Sequence, residues 1–193
     1  QEDCGIDHFF DEYDLKIWEW ALDRAEYVMG VDVASGLGGK RDYSTIVVNR
    51  IGRSPGSDFQ VASFRSNKID PETLADVANA LGKIYNDALA TVEYNAYTTC
   101  ADRLLRVHSY PNVYRWKWMD ANRFESSRFH WVTNAKSKKA LWTSFSRALS
   151  QRSYYVRDHV IADEMKTFQV QNMDSENVIV GAAEGEHDDM LMA

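Results

Sequence analysis

The sequence predicts an α/β domain built on a mixed sheet. Three observations carry this. Strand-like runs follow one another with short connections at 27–34, 43–51 and 58–66. A helical pattern then separates them from a fourth strand-like run at 90–96. Helical and strand-like segments keep alternating after that. The order β-β-β-α-β-α-β-α restricts the topology to an antiparallel three-strand meander extended by crossovers.

Each element has a local reason. "YVMGVDVA", "YSTIVVNRI" and "DFQVASFRS" are rich in β-branched and aromatic residues. Gly36, Gly38 and Gly39 punctuate the first gap, and Ser54-Pro55-Gly56-Ser57 the second. In "DPETLADVANALGKIYNDA", Asp70 is an N-cap and Pro71 suits the first helical position. Leu74, Val77, Ala78, Leu81, Ile84 and Tyr85 recur there at helical spacing. "ATVEYNA" reads as a buried strand, 98–107 as a helix and "NVYRW" as a further strand. "KSKKALWTSFSRALSQ" is a helix with Leu141, Phe145, Ala148 and Leu149 on one face. "ADEMKTFQV" is a helix leading into a strand-like stretch. Residues 1–26 form an acidic, aromatic arm, irregular or briefly helical as far as Arg24, with Trp18 and Trp20 packing on the main domain at 27–193. A polar, Gly-free loop between Trp116 and Thr133 is placed to act as a gate.

The 193 residues suit one domain with a sizeable core. No apolar run approaches the ~20 residues that span a membrane. Cys4 and Cys100 lack metal-ligand spacing, and a reduced, intracellular setting is the simpler expectation. The absence of an initiator Met and the stop just after the apolar Met190–Met192 read as a fragment of a longer protein. The net charge of −7 hides a strong asymmetry. Residues 103–157 hold twelve bases and two acids, whereas residues 158–193 hold nine acids and one base. That pattern places a surface for polyanions beside a carboxylate cluster, against the plainer alternative of a solvated basic helix face.

Two acids interrupt apolar strands: Asp32 between Val31 and Val33, and Glu93 between Val92 and Tyr94. A buried acid is costly unless something compensates it. With a crossover helix between them, the first and fourth strands run parallel and the two acids become neighbours. Asp188 and Asp189, at an apparent helix start, complete a site, and Asp42 at the mouth of the second strand joins its rim. Clustered carboxylates repel, and hard divalent cations relieve the repulsion. Two such ions ~4 Å apart activate an attacking hydroxide and stabilise the leaving oxygen in phosphodiester cleavage. Each acid also has a plainer reading, as a paired strand acid or as a helix cap.

In order, "GVDVASGLGGKRDYSTIVV", "TVEYNAY", "TNAKSKKALW" and "GEHDDMLMA" resemble the nuclease domain of tailed-phage large terminases. The resemblance covers roughly residues 27–193. It implies an RNase H-like fold, similar to RuvC-type resolvases: a mixed sheet of five or more strands, the first three antiparallel, with helices on both faces. It implies two ions of Mg²⁺ or Mn²⁺ held by Asp32, Glu93 and Asp189 as catalytic ligands, with Asp188 and Asp42 auxiliary. Asp188 and Asp189 are not ranked by it. It also implies cleavage of concatemeric double-stranded DNA during genome packaging. The partners would be an ATPase motor on the same protein, the portal and the small terminase subunit. The setting would be the infected host cytoplasm, docked transiently on the procapsid and absent from the mature virion. No phosphate loop of the GxxxxGK[ST] type is present, so the motor lies elsewhere.

In that setting Arg115, Lys117, Arg123, Arg128, Lys136, Lys138 and Lys139 are placed to hold phosphates. Lys136 and its neighbours open a helix, where a phosphate partner would offset the unfavourable dipole. Trp116, Trp118 and Trp131 interleave with these bases, as core residues or as stacking platforms. His187 is either a proton-transfer auxiliary or a neighbour of a cap. Glu164 reads as a structural helix acid. Three alternatives stay open: a Holliday-junction resolvase or transposase of the same fold, a non-catalytic DNA-binding module, and an actin-like phosphotransferase, for which the chain is short.

Overall fold

The computed structural model describes residues 14–36, 42–54, 56–95, 97–119, 125–174 and 177–193. The elements run in the order β1 (Asp14–Ile17), β2 (Glu26–Asp32), β3 (Ser44–Ile51), β4 (Asp58–Ser66), α1 (Pro71–Ile84), β5 (Leu89–Val92) and α2 (Thr99–Arg106). Then come β6 (Arg115–Met119), β7 (Glu125–Phe129), α3 (Ala135–Ser150), β8 (Tyr154–Tyr155), α4 (His159–Thr167), β9 (Phe168–Asp174), β10 (Asn177–Ala182) and α5 (Asp189–Met192). The sheet order is β1-β4-β3-β2-β5, with β8 added on β4. β2, β3 and β4 form the antiparallel meander, and β5 pairs with β2 in parallel. The sheet is therefore mixed, as the sequence predicts, and its six strands fall within the expected five or more.

Strand alternation decides which face each residue takes. Tyr27, Met29 and Val31 of β2 point into the main core, and Val28, Gly30 and Asp32 take the other face. The main core lies under α1 and α2. Asp70 caps α1 by accepting from the Glu72 and Thr73 amides, so the helix starts at Pro71. Leu74, Val77, Ala78 and Leu81 then face the sheet, joined by Cys100, Ala101 and Leu104 of α2. Each such side chain contributes about 1.5–3 kcal/mol on burial. On the opposite face Val47 packs with Ile161 of α4 and Met190 of α5. Helices thus cover both faces, and the path through β3 is buried on each side. Gly30 is needed for close approach, since a Cβ there would lie 1.5 Å from the Ala193 carbonyl oxygen.

Four expectations change. The described part of the 1–26 arm is not separate: β1 pairs antiparallel with β4, and Leu15 is buried in the main core. Lys16 fixes it by an ion pair with the buried Asp158 at 3.3 Å. Trp20 is 60% exposed rather than packed. The predicted gate loop is instead a hairpin, β6 paired antiparallel with β7. The apolar face of α3 is only partly covered, and Leu141 at its centre stays exposed.

The hairpin leads into His130, which has φ +70° and is 3% exposed. Its ring stacks on Tyr94 with centroids 5.4 Å apart. Neither ring nitrogen has a hydrogen-bond partner among the described residues. Burial pushes its pKa down to about 4, so the folded state holds it neutral. The unfolded chain takes up a proton below pH ~6.5, and stability is lost as pH falls from there towards 4. A His130→Asn variant, which tolerates positive φ and does not titrate, lacks this slope. Denaturant melts between pH 7 and 4 should show the native chain losing up to about 3 kcal/mol more than the variant. Parallel pH profiles would contradict this placement.

Candidate active site

Asp32 closes β2, and Glu93 follows β5 directly. The parallel register sets Val31 against Val92, and the Glu93 amide donates to the Val31 carbonyl at 2.9 Å. The two carboxylates therefore leave adjacent strand ends together, close enough for Glu93 to raise the Asp32 pKa. Asp189 comes from a third segment, as the first residue of α5. Its Oδ2 accepts from the Tyr43 amide at 3.0 Å. Its carbonyl accepts from the Thr45 hydroxyl at 2.9 Å. The start of β3 thus holds Asp189 beside β2. Asp32, Glu93 and Asp189 line one cleft of about 620 Å³ with Asp42, Tyr43 and Asn95. A second cavity of about 330 Å³ reaches from Asp32 and Glu93 towards Trp131 and Leu141.

The electrostatics follow from this crowding. Burial raises the Asp32 pKa well above the usual carboxylate range, reinforced by the neighbouring Glu93 carboxyl group and by the charge of Asp189. Burial also raises Asp189. The Tyr43 amide and His187 oppose the rise, and Asp42 and Asp188 add to it. Such a group of acids holds protons or cations. Its donors are all oxygens, which fits a hard divalent ion such as Mg²⁺ or Mn²⁺.

At the rim, His187 Nδ1 lies 3.4 Å from Asp42 Oδ1 and 3.5 Å from Asp189 Oδ2. Their ligand atoms lie within 4.8 Å of one another, close enough to share a cation. His187 also packs edge-on against Tyr43. Asp42 is 79% exposed in its side chain, so it belongs to the mouth of the cleft rather than its floor.

Asp188 goes elsewhere. It occupies the N-cap position of α5 but caps no amide. Its Oδ2 accepts from the Ala182 amide at 3.1 Å and meets Lys138 Nζ at 2.6 Å. Asp188 is thus engaged by a lysine that the sequence assigned to DNA. Lys138 in turn is engaged, while Lys136 and Lys139 remain exposed on α3. The phosphate site expected at the start of α3 is also filled from within. Asn134 accepts from the Lys136 and Ser137 amides, and the Ser137 hydroxyl accepts from the Asn134 amide in return.

The hairpin carries the remaining bases. Val113 bridges to Ala90 and Trp131 to Glu93, so its base is tied to the β5 edge beside the carboxylates. Arg115 lies 4.3 Å over the Phe129 ring, Arg128 stands opposite Trp116, and exposed Lys117 pairs with Glu125 at 2.9 Å. Trp116 packs on Trp131 at 4.6 Å. Arg123 lies outside the described residues. Cys100 is buried, with its thiol pushed up to about 12, and is not reactive.

Glu164 stands out in the structure as it does not in the sequence. It sits on α4, 6% exposed, and burial lifts its pKa to about 7. It is one turn beyond the buried Ile161. An acid on the buried stripe of a helix is the same signal that singled out Asp32 in its strand.

The fold is that of a nuclease domain of phage large terminases, the RNase H-like class. No family model matches the sequence, and no curated protein matches it. Solved structures do. The large terminase nuclease from thermophilic phage G20c with bound magnesium is similar with a TM-score of 0.70 and 17% identity, over 92% of this chain and 82% of that one. The same nuclease with bound cobalt gives 0.67 and 17%, over 92% and 82%. The large terminase nuclease domain of Thermus phage P74-26 gives 0.65 and 20%, over 92% and 80%.

Because burial raises Asp32 and Asp189, a metal ion held there would have to compete with protons. Mn²⁺ at 100 times its Kd should stabilise the fold by about 2.7 kcal/mol, or roughly 5–10 °C. At a fixed Mn²⁺ concentration the shift should be larger at pH 8 than at pH 5.5, as followed by circular dichroism. An equal shift at both values would mean that these carboxylates do not hold the ion.

Proposed function

We propose that this chain is the metal-dependent endonuclease of a phage DNA-packaging terminase, cutting concatemeric double-stranded DNA. One observation carries this: two acids on adjacent parallel strands line one cleft with a third from the α5 start, in a fold shared with terminase nucleases. Asp32, Glu93 and Asp189 are the residues that would hold two ions, Mg²⁺ or Mn²⁺, with Asp42 and His187 at the rim. When bound, such ions supply a metal-activated water and neutralise charge on the leaving oxygen. The carboxylates fix where this happens, because three separate backbone segments position them. Asp32 and Asp189 must be ionised to act, so activity should rise with pH through their raised pKa values.

DNA would lie across the carboxylate cleft, with the hairpin and α3 supplying bases for its phosphates. Lys136 and Lys139, with Arg115 and Arg128 on the hairpin, are the bases placed to meet its phosphates. Lys138 serves Asp188 instead. The ATPase motor, portal and small terminase subunit belong to the same proposal, as does a working place in the host cytoplasm on the procapsid.

Plasmid cleavage tests the assignment. The native chain should cut with Mn²⁺ or Mg²⁺ and stop with EDTA. Asp32→Asn should lower the rate by more than about 100-fold, beyond the loss typical of a group that only supports a ligand. Cutting that survives both EDTA and the substitution would refute the proposal.

A further inference from the structure

Asp189 belongs to a helix of four residues, and that raises a question of support. A single turn does not hold itself together, because nucleation costs more than one turn of hydrogen bonds returns. Its first amides also lack intrahelical partners. A side chain at the N-cap normally supplies an acceptor. Here the N-cap residue is Asp188, and its carboxylate is occupied by Ala182 and Lys138. The acceptor comes from another helix. Leu191 donates its amide to Glu164 Oε2 at 2.8 Å, and Met190 donates to Oε1 at 3.4 Å.

We propose that Glu164 is a positioning residue for the metal-binding carboxylate. Its side chain grips the first turn of α5 and so fixes the direction in which Asp189 enters the cleft. This rests on the nuclease proposal above. The support is geometric. Glu164 is buried on α4, and Ile161 on the same helix packs with Met190. One helix thus provides both an apolar seat and a polar grip for the same turn. Tyr43 and Thr45 hold Asp189 from the sheet side, and Glu164 holds the next two residues from the helix side. A buried acid is expensive to keep, and an apolar residue would fill the space at lower cost. What an apolar residue cannot do is accept two amide hydrogens. Partners of this kind, one step behind a ligand, commonly set metal affinity.

Three readouts separate positioning from packing. In the metal-free chain, removing the acceptor should speed hydrogen exchange at the Leu191 amide by at least about tenfold in Glu164→Ala. Calorimetric titration with Mn²⁺ alone should then show a Kd weakened by about 10–100-fold in that variant. Glu164→Gln keeps one acceptor oxygen but turns an amino group to the second amide, so it should fall between the native chain and Glu164→Ala. In plasmid cleavage, the Mn²⁺ concentration at half-maximal rate should rise in the same order, with a much smaller change in the rate at saturating Mn²⁺. If Glu164→Ala does not fold, Glu164→Gln decides, with its weaker Mn²⁺ binding and faster Leu191 exchange. Unchanged exchange, or unchanged Mn²⁺ affinity in a folded variant of lower thermal stability, would overturn the proposal. A native chain that shows the amide protection but never cuts DNA would instead defeat the nuclease proposal alone.

Discussion

The parallel pairing of β2 with β5 is the constraint on which the site depends. It is set by backbone hydrogen bonds between apolar residues, Val31 with Val92 and their neighbours. Yet it fixes two acids side by side at the strand ends. Their repulsion and desolvation work against folding, and the hydrophobic core under α1 and α2 has to outweigh them. The molecule therefore keeps a locally unfavourable arrangement within a favourable frame. Such an arrangement is sensible where a cation completes it.

The opposite face of the sheet is organised around the third acid. Val47, Ile161 and Met190 pack together, and their burial places α5. Polar contacts then orient it: Tyr43 and Thr45 from β3, Glu164 from α4, and the Lys138–Asp188 pair from α3. Lys138 joins the basic helix to the residue just before Asp189. The basic and acidic blocks of the sequence thus meet in space at this pair, while Lys136 and Lys139 stay on the surface.

Much of this was legible from residue patterns. The meander, the cap at Asp70 and the crossover to a parallel strand followed from turn residues and periodicity. Asp32 and Glu93 stood out because acids are rare inside apolar strands. What was not legible depended on partners distant in sequence. β1 holds one buried apolar residue, Leu15, in an acidic arm, and it becomes a strand only because β4 offers an edge. Asp188 and Asp189 are adjacent and chemically identical. Lys138 and Tyr43, each more than forty residues away, help to give them different tasks. Glu164 looked like an ordinary helix acid because the amides it accepts from lie about one turn into a helix that follows much later. Arg123, assigned to DNA from the basic block, lies outside the described residues.

The central claim is that Asp32, Glu93 and Asp189 form one cation site. Anomalous diffraction from a crystal soaked in Mn²⁺ tests it most directly. The claim predicts difference peaks in the cleft bounded by these three carboxylates, with oxygen ligands at about 2.0–2.2 Å. Peaks only at surface acids, or at Asp188 with Lys138 displaced, would contradict it.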